Sequence, residues 1–277
     1  MALSIQSNVA SLQAQSNLAN TQRALSMNFQ KLSSGYRINS ASDDAAGLGI
    51  SENMTAQTRS FTVAERNTNN GISMAQTAEG ALGQMSGMLG RLRELAVQGS
   101  NGDLTSTDRG FLDTEFTALK SEVDRISSST TYNGKALLSG TAATTTFQVG
   151  INNTTNDQIG ISFGGVDLTT LGLSTSSVSG ATATNAQASI DAVDTAIAFV
   201  STQRSQYGSV MNRMQVTVSN IQSMRTNLTA ANSRIKDTDI AEETASMARN
   251  QVLSQAGAAV LAQANQAPQL AMTLLRG

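Results

Sequence analysis

Two pairs of adjacent carboxylates, Asp43-Asp44 and Glu242-Glu243, have the residue types and spacing for acid–base or metal chemistry. Both read more simply as helix starts. Ser42 is placed as an N-cap with Asp43 and Asp44 in the first turn, and Glu242 and Glu243 open a second helix. The helix dipole favours negative charge at such positions. The chain has no His and no Cys, which excludes thiolate metal sites, Ser-His-Asp triads and disulfides. Catalysis would have to rest on carboxylates, Lys or Tyr, and no motif organises these. Gly80, Gly83, Gly87 and Gly90 follow a 3-4-3 spacing, but a nucleotide loop needs a preceding strand and a Gly-rich turn that opens a helix. Each Gly costs about 1 kcal/mol against Ala inside a helix, so the expectation is close approach of another backbone along that edge. Met211 and Met214 fall on an apolar stripe and read as core. Asn152, Asn153 and Asn227 begin Asn-x-Ser/Thr triplets, which arise often by chance. Sugars on the Ser/Thr-rich stretch 169–184 rest on composition alone. No catalytic, metal or cofactor site is expected.

The elements around these residues are mainly helical. Apolar and small residues recur at 3-4 spacing from Ile50 through Phe61, Ala75, Leu82, Leu89 and Ala96. A shorter stripe runs Leu112, Phe116, Leu119, Val123, Ile126, and a third runs from Ile190 through Val200, Tyr207, Met214 and Ile221 to Ile235. Sustained repeats of this kind make long coiled-coil-like helical rods. Ser34-Gly35, Asn101-Gly102 and residues 127–131 punctuate them. Only the middle alternates as β structure: Phe147, Val149, Ile151 and Ile159, Ile161, Phe163 flank turn residues 152–157, predicting a small β-hairpin at about 144–166. Residues 168–188 show no period and read as a surface connection. Helices at 3–32 and 239–275, the latter ending around Pro268, complete an antiparallel, hairpin-like subunit whose termini lie side by side.

Those end helices are the most unusual part of the sequence. From Met1 the first ionisable side chain is Arg23, and none occurs between Arg249 and Arg276. Gln, Asn and Ser punctuate both segments too densely for a membrane span, and the start lacks the basic and apolar regions of a secretory signal. In a helical homopolymer every charge near the axis recurs in each copy. Two like charges ~8 Å apart at an effective dielectric of ~20 repel by roughly 2 kcal/mol. Neutral, polar-and-apolar ends therefore fit a protein that assembles with copies of itself, its core built from Ile5, Val9, Leu12, Leu18, Leu25, Val252, Val260, Leu261, Leu270 and Leu274. A net charge of −2 and 4% aromatic residues give no basis for nucleic-acid binding.

Longer motifs add a family. Lys31-Leu32-Ser33-Ser34-Gly35, Arg37-Ile38-Asn39, Asp43-Asp44-Ala45-Ala46-Gly47-Leu48, the run from Asn70 to Leu82, Arg93-Glu94-Leu95-Ala96-Val97-Gln98, Ser233-Arg234-Ile235 and Val260-Leu261-Ala262-Gln263-Ala264-Asn265-Gln266 closely resemble bacterial flagellin. The resemblance covers about 1–140 and 186–276. It implies a short member without outer domains, with terminal helices of an inner tube, D0, at 1–42 and 236–277. Rods and hairpin, D1, would occupy 43–235. It also implies an extracellular filament that serves as the propeller for motility. The implied partners are the flagellar type III export apparatus, an export chaperone, the filament cap and hook-associated proteins, besides the chain itself. Some members are ligands of a vertebrate Toll-like receptor, and the matching positions here are Arg91, Leu95 and Glu115. The rival readings are a hook–filament junction protein, disfavoured by the match at 71–82 and the C-terminal Ala/Gln helix, and a soluble coiled-coil adaptor, which leaves the charge-free ends without an account.

Overall fold

The structure is a computed structural model and describes residues 7–276, with side chains through residue 266. Five helices carry most of the chain: α1 (Val9–Ser34), α2 (Ala45–Gly99), α3 (Ser106–Ser129), α4 (Thr184–Lys236) and α5 (Ile240–Arg276). Between α3 and α4 lie two antiparallel strand pairs, β1 (Thr131–Tyr132) with β2 (Lys135–Ala136) and β3 (Ala143–Gln148) with β4 (Gln158–Phe163). The chain divides into two compact units, residues 59–225 and residues 1–58 with 226–277.

Unit 59–225 has a continuous apolar core. Along α2 the predicted stripe is buried from Phe61 to Ala96, with Ala75, Leu82, Leu89 and Leu92 fully enclosed. Val193, Val200, Tyr207 and Met214 of α4 and Phe116 and Val123 of α3 meet it. Ion pairs rim the α2–α4 seam: Arg204 to Glu79 at 2.8 Å, Arg225 to Glu65 at 2.6 Å and Arg93 to Asp194 at 2.6 Å. Arg204 and Arg225 thus hold positions in the α4 repeat by pairing across the helix interface. Packing is close at Gly71, where a Cβ would sit 2.8 Å from Met214 Cε and 3.2 Å from Phe147 Cδ1 and the end of the Met214 side chain would have to shift.

The hairpin forms in the register Ala143↔Phe163 to Gln148↔Gln158; β4 follows its predicted alternation, whereas β3 lies earlier than Phe147, Val149 and Ile151 implied and leaves Val149 and Ile151 in the connection. Ile159, Ile161 and Phe163 face the core, and the Phe163 ring stacks on Tyr207 at 5.5 Å. The connecting segment 168–188 corrects the sequence expectation. Leu171, Leu173, Val178 and Ala186 are buried, and charged α3 side chains hold the backbone around them. The Asp113 carboxylate accepts from Ser177 Oγ and from the Val178 and Ser179 amides. Lys120 donates to the Ser174 and Ser176 carbonyls. Arg109, 3% exposed, donates to the carbonyls of Gly99, Asn101 and Ala181. An aperiodic segment becomes core because its neighbour supplies the hydrogen bonds that a helix or sheet would otherwise give.

Helix boundaries follow capping chemistry. Gly35 ends α1 in the left-handed region (φ 72°), its amide donating to Lys31 O at 2.8 Å. The described part of α1 starts at Val9, where the Asn8 side chain accepts from the Ser11 amide and caps it; residues 3–6 of the predicted helix lie outside the described residues. The start of α2 moves as well: Asp44, not Ser42, is the cap, accepting from the Gly47 amide at 2.9 Å. Asp43 instead closes a turn by accepting from the Asn39 and Ser40 amides, and these bonds, Ser40 first, hold its carboxyl below the usual range. At the other end α5 continues past Pro268 to Arg276.

Candidate assembly surface

In the unit formed by both chain ends, α1 packs along α5 in antiparallel order. The seam repeats at 3-4 spacing, and its contents are unusual for a coiled coil. On α1 the buried residues are Ser11, Ala14 and Asn28, with Leu18 and Leu25 half-buried between them. Gly257 of α5 faces Leu18, with 3.5 Å from an added Cβ to Leu18 Cδ1. Polar bonds cross the seam at both ends. Asn8 Nδ2 donates to Ala264 O (2.8 Å) and Ser11 Oγ to Asn265 Oδ1 (2.7 Å). Further along, Asn250 Nδ2 donates to Asn28 Oδ1 (2.8 Å), and Asn28 Nδ2 donates to Glu243 Oε1. That bond explains Glu243 as a seam partner rather than an acid of a catalytic pair.

The outward faces of the same two helices carry exposed apolar side chains among Gln, Asn and Ser. Val9, Leu12, Met27 and Phe29 of α1 are more than half exposed, as are Val252, Leu253 and Val260 of α5. A helix pair that buries Ser and Asn while presenting Val, Leu and Phe outward is inverted relative to a water-facing one. Burying each such side chain against a partner would stabilise by roughly 1.5–3 kcal/mol.

The residues singled out as the assembly core divide accordingly. Val9 (66% exposed), Leu12 (62%), Val252 (65%) and Val260 (55%) lie on the outward faces, while Leu18, Leu25 and Leu261 are half-buried. Ile5, and the side chains of Leu270 and Leu274, lie outside the described residues. The glycine edge of α2, where another backbone is expected, finds no such partner within the described chain. A Cβ at Gly80, Gly83, Gly87 or Gly90 would meet nothing within 4 Å, so no backbone of the same chain approaches there.

Of the three receptor-matching positions, the structure brings two together. Arg91 Nε donates to Glu115 at 2.9 Å and Nη1 to Glu94 at 2.8 Å. The bond to Glu115, then that to Glu94, pushes the guanidinium above its ordinary value. Leu95 is 1% exposed and belongs to the core. Among the described residues no cluster of His, Cys, Asp and Glu could hold a metal ion, and no helix is long and apolar enough to cross a membrane. The Asn28–Asn250–Glu243 contact and the α3 ladder of Arg109, Asp113 and Lys120 escaped sequence reasoning. The ladder's signal was its 4-and-7 offset, in step with buried Phe116.

Fold and surface define a helical structural subunit whose ends are finished for contact with other protein. Residues 5–143 match the family described as bacterial flagellin N-terminal helical region, and residues 190–275 its C-terminal helical region. The chain is 44% identical to a flagellin of Halalkalibacterium halodurans over 260 residues, 94% of this chain and 93% of that protein. It is 38% identical over 288 residues to the flagellar filament 33 kDa core protein of Treponema phagedenis, covering 98% and 99%. A structure titled as a putative flagellar hook-associated protein from Vibrio parahaemolyticus shares the fold, with TM-score 0.59 and 16% identity over 70% of this chain and all of that one. The chain belongs to the bacterial flagellin family. It is a structural subunit of the extracellular flagellar filament.

Proposed function

We propose that the apolar outer faces of α1 and α5 pack against the same faces of sister chains to line the filament's inner tube. In this reading 1–42 with 236–277 form the inner layer, D0, and 43–235 form the surrounding D1 layer. The chain's work is mechanical rather than catalytic. The observation that carries the reading is the inverted burial of the end pair: Asn28 at 8% exposure inside, Val9 at 66% outside. Identical neighbours also account for the missing charges. Column repulsion of roughly 2 kcal/mol per adjacent pair would be repeated at every copy, whereas amides hydrogen-bond across the same contacts.

The test is a charge scan. Leu12→Asp and Val260→Lys alter exposed positions, so the unfolding transition of unit 59–225 should not move while sedimentable polymer is lost. Each is made singly, because together the two opposite charges could pair, and polymer at parental yield in both single variants refutes the assignment. Family resemblance further supports export through the type III apparatus with a chaperone, assembly under a cap and attachment to hook-associated proteins. A hook–filament junction role predicts short rings, so seeded growth of micrometre filaments separates the two. The pair Arg91–Glu115 is the accessible part of a surface for a Toll-like receptor. Retained receptor signalling by Arg91→Asp counts against that role.

A further inference from the structure

The end helices carry few charges, and the structure places two of them at one height. Asn28 meets Asn250, Leu18 faces Gly257 and Asn8 reaches Ala264. That alignment puts Arg23 within about one helical turn of Arg249 along the pair. Both are exposed. Arg23 lies on the outward line of α1 with Leu12 and Met27, and Arg249 on the outward line of α5 with Val252, Leu253 and Val260, as their 3-, 4- and 11-residue spacings require. Arg23 Nη2 donates to Asn20 Oδ1 at 2.5 Å. Among the described residues neither guanidinium meets a carboxylate.

Each copy therefore brings two cations to one level of the surface that packs against its neighbours in the reading above. Repeated around an axis they would form a ring of like charges, which the rest of these helices avoids. A counter-charge stands on the same surface at another height. α1 has no acidic side chain and α5 has two, Glu242 and Glu243. Glu243 is taken by Asn28. Glu242 is exposed and makes no ion pair among the described residues. It precedes Arg249 by seven residues on the same line of α5, about 10 Å along the helix. That gap is too long for an ion pair within one chain, and a sister copy displaced along the pair closes it.

We propose that Glu242 of one copy sits between Arg23 and Arg249 of a neighbour and accepts hydrogen bonds from both guanidinium groups across the assembly surface. Charge-assisted bonds of this kind are stronger than neutral ones. Burial of the surrounding Val and Leu side chains strengthens the attraction and makes an unmatched charge costly. The pairing also selects which heights of two copies meet, a choice that apolar contacts alone leave loose. The inference rests on the packing of the outer faces proposed above, and it names the charged partners within that packing.

A charge swap in the full chain tests this, read as seeded growth of sedimentable polymer, with urea unfolding of unit 59–225 as the folding control. Glu242→Arg, and separately Arg23→Glu/Arg249→Glu, should raise the concentration needed for growth by about tenfold or more. Combining all three substitutions should bring growth back to within a few-fold of the parental chain. Glu242→Arg places a cation in the first turn of α5, where the helix dipole disfavours it, so recovery on adding it comes from a restored pair. Parental growth of the two partial variants overturns the proposal, because the charges would then lie outside the contact. Loss without recovery in the combined variant overturns it as well and gives the three charges separate partners. The assembly reading fails on different evidence. Parental polymer in both Leu12→Asp and Val260→Lys strikes the packing of the outer faces, whereas failure of the swap alone leaves that packing standing and removes the ion pair.

Discussion

Replacing Gly80, Gly83, Gly87 and Gly90 with alanine separates the stability of one chain from the demands of its assembly. All four are interior to α2, and an added Cβ at each would meet nothing within 4 Å. No steric cost opposes the ordinary helix preference, so each substitution should stabilise by about 0.8–1.0 kcal/mol and the quartet by roughly 3–4 kcal/mol. For a unit of this size that raises the melting temperature by roughly 10 °C. The assays are thermal and urea unfolding of the depolymerised chain, followed by seeded polymerisation of the same sample. Gain of stability with loss of growth would show that the bare edge is kept for a neighbouring copy's close approach. Two results would refute the reasoning. Unchanged or lower stability would mean that the edge is not open in the subunit. A gain in stability with parental growth would mean that no copy packs there and the glycines are idle.

Arg109→Ala removes a buried guanidinium from three carbonyls and should destabilise unit 59–225 by about 3 kcal/mol in urea unfolding, with Lys only partly restoring it. Tyr207→Phe should be neutral or stabilising by up to about 1 kcal/mol, since the enclosed hydroxyl has no hydrogen-bond partner; burial raises its pKa to about 12, so the comparison holds at any neutral pH. Asp108 has its carboxyl lowered by Thr105, side chain first and then backbone. Its contribution to the α3 cap is therefore present above the ordinary aspartate range near pH 4 and lost as pH falls through the depressed value, read as faster amide exchange in the first turn of α3 and reduced in Thr105→Ala, which keeps only the backbone bond. In the dilute chain, amides of α1 and α5 should exchange far faster than those of α2, whose buried stripe is continuous, and polymerisation should close the gap; equal protection in dilute solution would contradict the dependence of the end helices on neighbours.

What the sequence made legible follows from where the information was local. The α2 and α4 stripes were readable because a buried face at 3-4 spacing leaves a periodic mark, and β4 because Ile159, Ile161 and Phe163 alternate. Residues 168–188 were misread because their burial is arranged from outside: Asp113 and Lys120 satisfy that backbone, and nothing in the segment's own order records it. The glycine edge was recognised as unusual, but its partner was not assignable from one chain. Of the assembly residues, spacing could identify an apolar set, yet only packing divides Leu18 and Leu25 in the seam from Val9 and Leu12 outside. Leu95 could not be recognised as enclosed from the matching motif, which carries no information about which side of α2 faces the core.

The two units use the same repeat for opposite ends. In unit 59–225, apolar side chains fill the seam and Arg–carboxylate pairs rim it, so the seam alone rewards folding. At the chain ends, the most deeply buried seam residues of α1 are serine, alanine and asparagine, with leucines only half-buried between them, while Val9, Leu12 and Phe29 stand exposed. A lone pair of such helices has little apolar burial to set against the entropy of ordering its residues. In the proposed packing, copies of the chain supply that burial, and they supply it repeatedly along a polymer. The same arithmetic accounts for the stretches before Arg23 and between Arg249 and Arg276, which hold amides but no charges: an amide finds a partner in any symmetric contact, while a charge finds its own image. Folding of the ends and addition to the filament then become one event, which ties completion of each subunit to its correct placement among the others.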